Sequence, residues 1–169
     1  RHVMQAFMMA GDRDRLLEAA KSEKSPELRA EAVRQLGVMG AQAELAGLYG
    51  TEVSAEVRRQ VLQAMAISGA SDKLAALAKA EADAALRRTA VRNLGMMDSK
   101  KTGDVLAQFY RDDKDPGVRK AAIQGLFMQG NAGALVALAR QEKDPELRKE
   151  IVSRLSMMKN KEAMDYMME

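Results

Sequence analysis

Apolar positions along the chain recur in a fixed order behind a repeated polar signal. The segments Ser25-Pro-Glu-Leu-Arg29, Ser54-Ala-Glu-Val-Arg58, Asp83-Ala-Ala-Leu-Arg87, Asp115-Pro-Gly-Val-Arg119 and Asp144-Pro-Glu-Leu-Arg148 share one grammar: Ser or Asp, a variable pair, an aliphatic residue, an arginine. With the aliphatic residue as position 0, the steps between copies are 29, 29, 32 and 29 residues. Position +4 reads Ala32, Val61, Ala90, Ala122 and Ile151; position +5 reads Val33, Leu62, Val91, Ile123 and Val152; position +8 reads Leu36, Met65, Leu94, Leu126 and Leu155. Apolar residues at 0, +4, +5 and +8 form one face of an α-helix. Ser or Asp three residues before position 0 is an N-cap, because its oxygen can accept a free amide of the first turn. Pro26, Pro116 and Pro145 follow directly at the first helical position, where a missing N–H costs nothing.

Each long helix predicted in this way runs to a break near Gly40, Gly69, Asp98, Gly130 or Lys159. A shorter helix follows, anchored by Leu45/Leu48, Leu74/Leu77, Leu106/Phe109, Leu135/Leu138 and Met164/Met167. The unit is therefore a helical hairpin, and a period in this range marks a stacked array in which no hairpin buries its apolar face alone. Stepping back one period places Phe7, Met4, Val3 and Leu16 at the positions of Leu36, Val33, Ala32 and Leu45. The sequence predicts an all-α solenoid of about five to six hairpins over residues 1–169, with long helices near 1–10, 26–39, 55–68, 84–97, 116–129 and 145–158. Both ends fall inside a repeat, so the chain reads as a piece of a longer protein. The longer step between Leu86 and Val118 places three extra residues within 98–104, in the turn between long and short helix.

Composition agrees with helices and narrows the chemistry. Hydrophobic residues make up 47% but aromatic residues only 4%, which is poor in the residues that favour strands. With 27 basic and 24 acidic residues the net charge is +3, short of the bias expected of a dedicated nucleic-acid binder. Cysteine is absent, which removes disulfides and thiolate chemistry. No apolar run approaches the roughly 20 residues of a membrane-spanning helix. Because Arg1 is not an initiator, a leader peptide cannot be read, and the compartment is left open.

A capped aliphatic-arginine helix following a shorter one resembles the HEAT repeat. Asp115-Pro-Gly-Val-Arg-Lys-Ala-Ala122 is similar to the short bacterial subclass named after phycobilin lyases, and the likeness extends over essentially the whole chain. It implies a right-handed α-α superhelix with long helices lining the concave side. It also implies that the arginine at +1 (Arg29, Arg58, Arg87, Arg119, Arg148) braces the stack by pairing with the cap aspartate of an adjacent repeat, here Asp83, Asp115 or Asp144. Enzymatic branches of the superfamily do not fit the residues. The iron-binding hydroxylases need His-Glu pairs, and His2 is the one histidine. The HEAT-like DNA glycosylases rely on aromatic residues at the base, whereas this chain has no tryptophan and its tyrosines lie on the short helices. No pigment-handling residues mark it as a phycobilin lyase.

The remaining chemistry is electrostatic. Position +2 reads Ala30, Arg59, Arg88, Lys120 and Lys149, with Arg1 as counterpart in the first helix, and position +6 reads Arg34, Gln63, Arg92, Gln124 and Ser153. Seven of these eleven positions are basic and none is acidic, which predicts a positive stripe along the long helices. Such a stripe attracts an acidic peptide or protein surface. The methionines late in the long helices (Met39, Met96, Met97, Met128, Met157, Met158), with Val38, Ile67 and Phe127, read first as core filler between repeats and second as an adaptable binding band. Met164, Met167 and Met168 read as an exposed terminal face prone to self-association. Asp112-Asp-Lys-Asp115 reads as a solvated loop ending in a cap.

The sequence therefore points to a non-enzymatic scaffold, with no catalytic residue, cofactor or metal site, that binds an acidic protein or peptide on its concave face. Arg34, Arg59, Arg88, Arg92, Lys120 and Lys149 are the candidate contacts. A structural spacer within a larger protein, or a weak phosphate-backbone binder, are the alternatives.

Overall fold

In a computed structural model, which describes residues 2–169, the chain is all α-helix. The helices are α1 (His2–Met9), α2 (Arg13–Ser22), α3 (Pro26–Val38), α4 (Gln42–Thr51), α5 (Ala55–Ile67), α6 (Ser71–Ala80), α7 (Ala84–Gly95), α8 (Ser99–Asp112), α9 (Pro116–Met128), α10 (Ala132–Gln141), α11 (Pro145–Ser156) and α12 (Lys161–Met168). Odd-numbered helices from α3 onward are the long helices, and each pairs with the short helix after it. The chain divides into two compact units, the first ending at Glu81 with α6 and the second running from Ala82 to Glu169.

The repeated polar signal starts each long helix by the same local chemistry. Ser25 and Ser54 lie in extended backbone and accept the amides of Leu28 (3.3 Å) and Val57 (3.4 Å). Asp83, Asp115 and Asp144 do the same for Leu86, Val118 and Leu147 at 2.9, 2.9 and 3.1 Å. The ends are equally regular. Gly40, Gly69 and Gly130 take φ of 71°, 77° and 67°, in the left-handed region where a Cβ is penalised. The next residue then returns its N–H five positions back, from Ala41 to Leu36, Ala70 to Met65 and Asn131 to Leu126, closing a Schellman turn.

Helix α7 departs from this pattern. It has no glycine at the turn; instead Asp98 caps α8, donated to by the Lys100 amide at 3.0 Å. The three-residue excess expected in the turn instead lengthens the following helix, since α8 spans 14 residues where α4, α6 and α10 span 10. The carbonyls left at the end of α7 are satisfied from elsewhere. The buried Thr102 hydroxyl donates to Leu94 (3.0 Å), and the Gln129 amide donates to Met97 (3.0 Å) and to Thr102 itself (2.7 Å). The side chains take over what a left-handed glycine does after α3, α5 and α9.

Packing follows the predicted face. Positions +4 and +8 are buried in all five complete long helices, and +5 in the first four; Val152, on α11, is half-exposed. Leu16, Leu45, Leu74, Leu106 and Leu135 bring the short helices into the same core. Two close approaches fix the helix pairs inside each unit. A Cβ on Gly37 of α3 would lie 2.8 Å from the Ala64 Cβ of α5, and one on Gly95 of α7 would lie 2.6 Å from the Gly125 Cα of α9. Small residues at these crossings let the backbones meet, which larger side chains would prevent.

Val3, expected in the core, is exposed; Met164, Met167 and Met168 are exposed, as their reading as a terminal face expects, and Ala163 is the buried anchor of α12. Met164, Met167 and Met168 line a shallow recess of about 280 Å³ with Leu155, Met158 and Ala163.

Candidate functional site

The arginine at +1 leaves the first turn of its long helix beside the apolar face, and so reaches the start of the next hairpin. There it meets a carboxylate two residues before the next cap, rather than the cap itself. Arg29 Nε bonds Glu52 at 2.9 Å and Arg58 Nη2 bonds Glu81 at 2.8 Å in the first unit. In the second, Arg87 grips Asp113 through Nε (2.8 Å) and Nη2 (3.2 Å), and Arg119 Nη2 bonds Glu142 at 2.7 Å. The acid in turn accepts the backbone N–H of the cap residue: Ser54 to Glu52 at 2.7 Å, Asp115 to Asp113 at 2.9 Å, Asp144 to Glu142 at 2.9 Å. One carboxylate thus ties the arginine of one hairpin to the helix start of the next.

This corrects the ladder read from the sequence. Asp83, Asp115 and Asp144 are N-caps, and the bracing acids are Glu52, Glu81, Asp113 and Glu142. Asp113, assigned by sequence to a solvated loop, has a side chain only 8% exposed. Arg148 is exposed and makes no side-chain ion pair among the described residues, because no further hairpin follows α11 and α12 in them.

Tyrosine enters every second bracket. Tyr49 donates its hydroxyl to Glu81 and lies under the Arg58 guanidinium, 4.4 Å from carbon to ring centroid. Tyr110 repeats this with Glu142 and Arg119, at 4.5 Å. Burial, then the bond to Glu142, pushes the Tyr110 phenol well above its ordinary value.

Glu52, Asp113 and Glu142 sit below their ordinary range. Desolvation works to raise Asp113, but the Arg87 bonds and the Asp115 amide overcome it. Glu52 is lowered against desolvation by Arg29 and the Ser54 amide, and Glu142 by Tyr110, the Asp144 amide and Arg119. A carboxylate lowered by folding contributes stability above its unfolded pKa and loses it as pH falls through the folded value. The reference values are 4.5 for glutamate and 3.8 for aspartate. The helical signal is therefore expected to hold from neutrality down to about pH 4.5 and then to lose thermal stability progressively, measured by circular dichroism melts across that range. A flat melting temperature down to pH 2.5 would contradict the brackets.

The basic stripe is less uniform than its sequence suggests. In the first unit it is neutralised from its own helices: Arg34 pairs with Glu31, and Arg59 pairs with Glu56 at 2.5 Å. Ala30 is buried, and Arg1 lies outside the described residues. In the second unit α7 has no acid at the equivalent places, where Ala85 and Thr89 stand. Arg88 lies across Gly117 of α9, so close that a Cβ there would come within 2.5 Å of its guanidinium, and meets Asp115 at 3.7 Å. Arg92, Lys120 and Lys149 are exposed and make no ion pair among the described residues.

The methionine band also divides. Met39, Met97 and Met158 are half-buried, but Met96, Met128 and Met157 are 61%, 57% and 53% exposed, together with Val38 and Ile67. All five exposed residues occupy position +10. Core filler is the wrong account of this column. Phe127 is half-buried, with the Arg154 guanidinium 5.6 Å from its ring.

Residues 71–139 match the family model of HEAT repeats. This span runs from α6 into α10, and the hairpins on either side of it use the same caps and core positions. The fold is an α-solenoid of HEAT-like repeats. No curated protein matches the chain. Among the described residues no helix is long and apolar enough to cross a membrane, and no group of three or more acidic or histidine side chains is placed to hold a metal.

Proposed function

We propose that the protein is a non-enzymatic interaction scaffold that binds an acidic segment of a partner protein on the long-helix face of its second unit. HEAT repeats commonly serve as protein-interaction scaffolds, and the stacked helices of the second unit present side chains at a regular spacing. The observation that carries the reading is the contrast between units: Arg34 and Arg59 are paired with acids on their own helices, whereas Arg92, Lys120 and Lys149 are exposed and make no ion pair among the described residues. Unpaired cations on a packed helical face favour a negative partner, and their effect weakens with salt.

Arg92→Glu with Lys120→Glu tests the reading better than a variant at Arg88, whose guanidinium is packed on Gly117 and Asp115. A fluorescent glutamate-rich peptide is expected to bind the full chain at low salt and at least tenfold more weakly to this double variant, by anisotropy. Equal affinity for both proteins would remove the assignment. The same titration with arbitrary single-stranded DNA separates an acidic-protein partner from a phosphate backbone.

A further inference from the structure

Positions +2, +6 and +10 are four residues apart and therefore share one helix face. In the second unit that face carries Arg88, Lys120 and Lys149 at +2, Arg92 at +6, and Met96, Met128 and Met157 at +10. Each long helix thus presents a cation near its start and an exposed methionine at its end. The two rows are separated by about 12 Å along the helix axes, from eight residues at 1.5 Å each. Packed helices lie roughly 8–10 Å apart, so each row repeats at about that step across α7, α9 and α11.

We infer that this face takes an amphipathic helix from a partner protein, one that carries carboxylates along one edge and large apolar residues along the other. The inference rests on the acidic-partner reading above and adds the apolar edge and the helical form. A helix laid across α7, α9 and α11 advances about 10.5 Å in seven residues, close to the step from one long helix to the next within each row. Its apolar residues can then meet Met96, Met128 and Met157 in turn while its acids face Arg92, Lys120 and Lys149. Methionine is unbranched and polarisable, so the row adapts to side chains of differing shape. The first unit has Val38 and Ile67 at position +10 of its own long helices, but its arginines are neutralised, so it lacks the charged edge.

The test is a displayed library of random 18-residue peptides selected on the full chain, with Met96→Gln/Met128→Gln/Met157→Gln as the comparison protein. All three methionines are exposed, and single Met128→Gln serves if the triple variant melts early. Enriched peptides are expected to combine Asp or Glu with Leu, Ile or Phe at spacings of three, four and seven. They should bind the unaltered chain at least tenfold more tightly than the triple variant and gain helical circular dichroism when bound. Acid-rich peptides that bind both proteins equally, or that stay extended, would overturn the amphipathic helix and leave the acidic-partner reading standing. Enriched peptides without acids, or no enrichment, would overturn both.

Discussion

Leu94→Ala is expected to lower the stability of the second unit by about 2–5 kcal/mol, read from chemical denaturation of the full chain. Leu94 sits at +8 of α7 and is wholly buried. Alanine removes its packing atoms, and the cost grows with the cavity that remains. Collapse is restricted at this place. The Gly95–Gly125 approach already holds α7 and α9 backbone to backbone, and the Leu94 carbonyl is fixed by Thr102 and Gln129. The upper half of the range is therefore expected. Met96→Ala, two residues on but 61% exposed, is expected to change stability by no more than about 0.5 kcal/mol. Similar losses from both substitutions would contradict the assignment of the two faces.

The second large effect concerns the brackets. Arg87→Ala is expected to cost about 2–3 kcal/mol, because it leaves the Asp113 carboxylate nearly buried without its bidentate partner. Fully buried pairs cost about 3–5 kcal/mol when one partner is removed; the side chain of Arg87 is 18% exposed, so water offsets part of that. Arg148→Ala provides the internal control. It removes the same residue from the same helical position, but Arg148 is exposed and pairs with no acid among the described residues, so the change should stay within about 0.5 kcal/mol. If both arginines cost the same, the stabilisation comes from their own helices and not from joining successive hairpins. Adding Asp113→Asn to Arg87→Ala should recover part of the loss, since the uncompensated charge is then gone.

The fold class was legible in the sequence because one short phrase encodes several physical requirements together. The Ser or Asp caps, the prolines at the first helical position and the apolar face all point to the same helix starts. What the sequence reading missed lies just outside that phrase. Glu52, Glu81, Asp113 and Glu142 recur at the same 29- and 32-residue steps as the arginines, so the signal was present. They fall at the ends of the short helices, where acids are ordinarily solvated, and only the folding of the short helix back along the long one makes them partners of its arginine. The break that the sequence places near Asp98 puts the extra residues between Leu86 and Val118 in a turn, yet Asp98 caps α8 and Gly103 sits inside it.

The candidate site was legible in part. The column at +2 and +6 is basic as read, but Glu31 and Glu56 stand one turn away on the same helices and neutralise Arg34 and Arg59. That cancellation follows from helical neighbours three residues apart and could have been found from sequence. The methionine row was read as filler because methionine usually is. Its position at +10, in register with +2 and +6, places it on the basic face instead, and the exposure of Met96, Met128 and Met157 follows.

The most direct measurement is an amide chemical-shift titration of the full chain with the glutamate-rich peptide at low salt. Perturbed amides are expected to gather on α7, α9 and α11 around Arg92, Lys120, Lys149 and the neighbouring methionines, and to relax as salt is added. Shifts confined to the α3 and α5 faces around Arg34 and Arg59, or to the hairpin turns, would contradict the account.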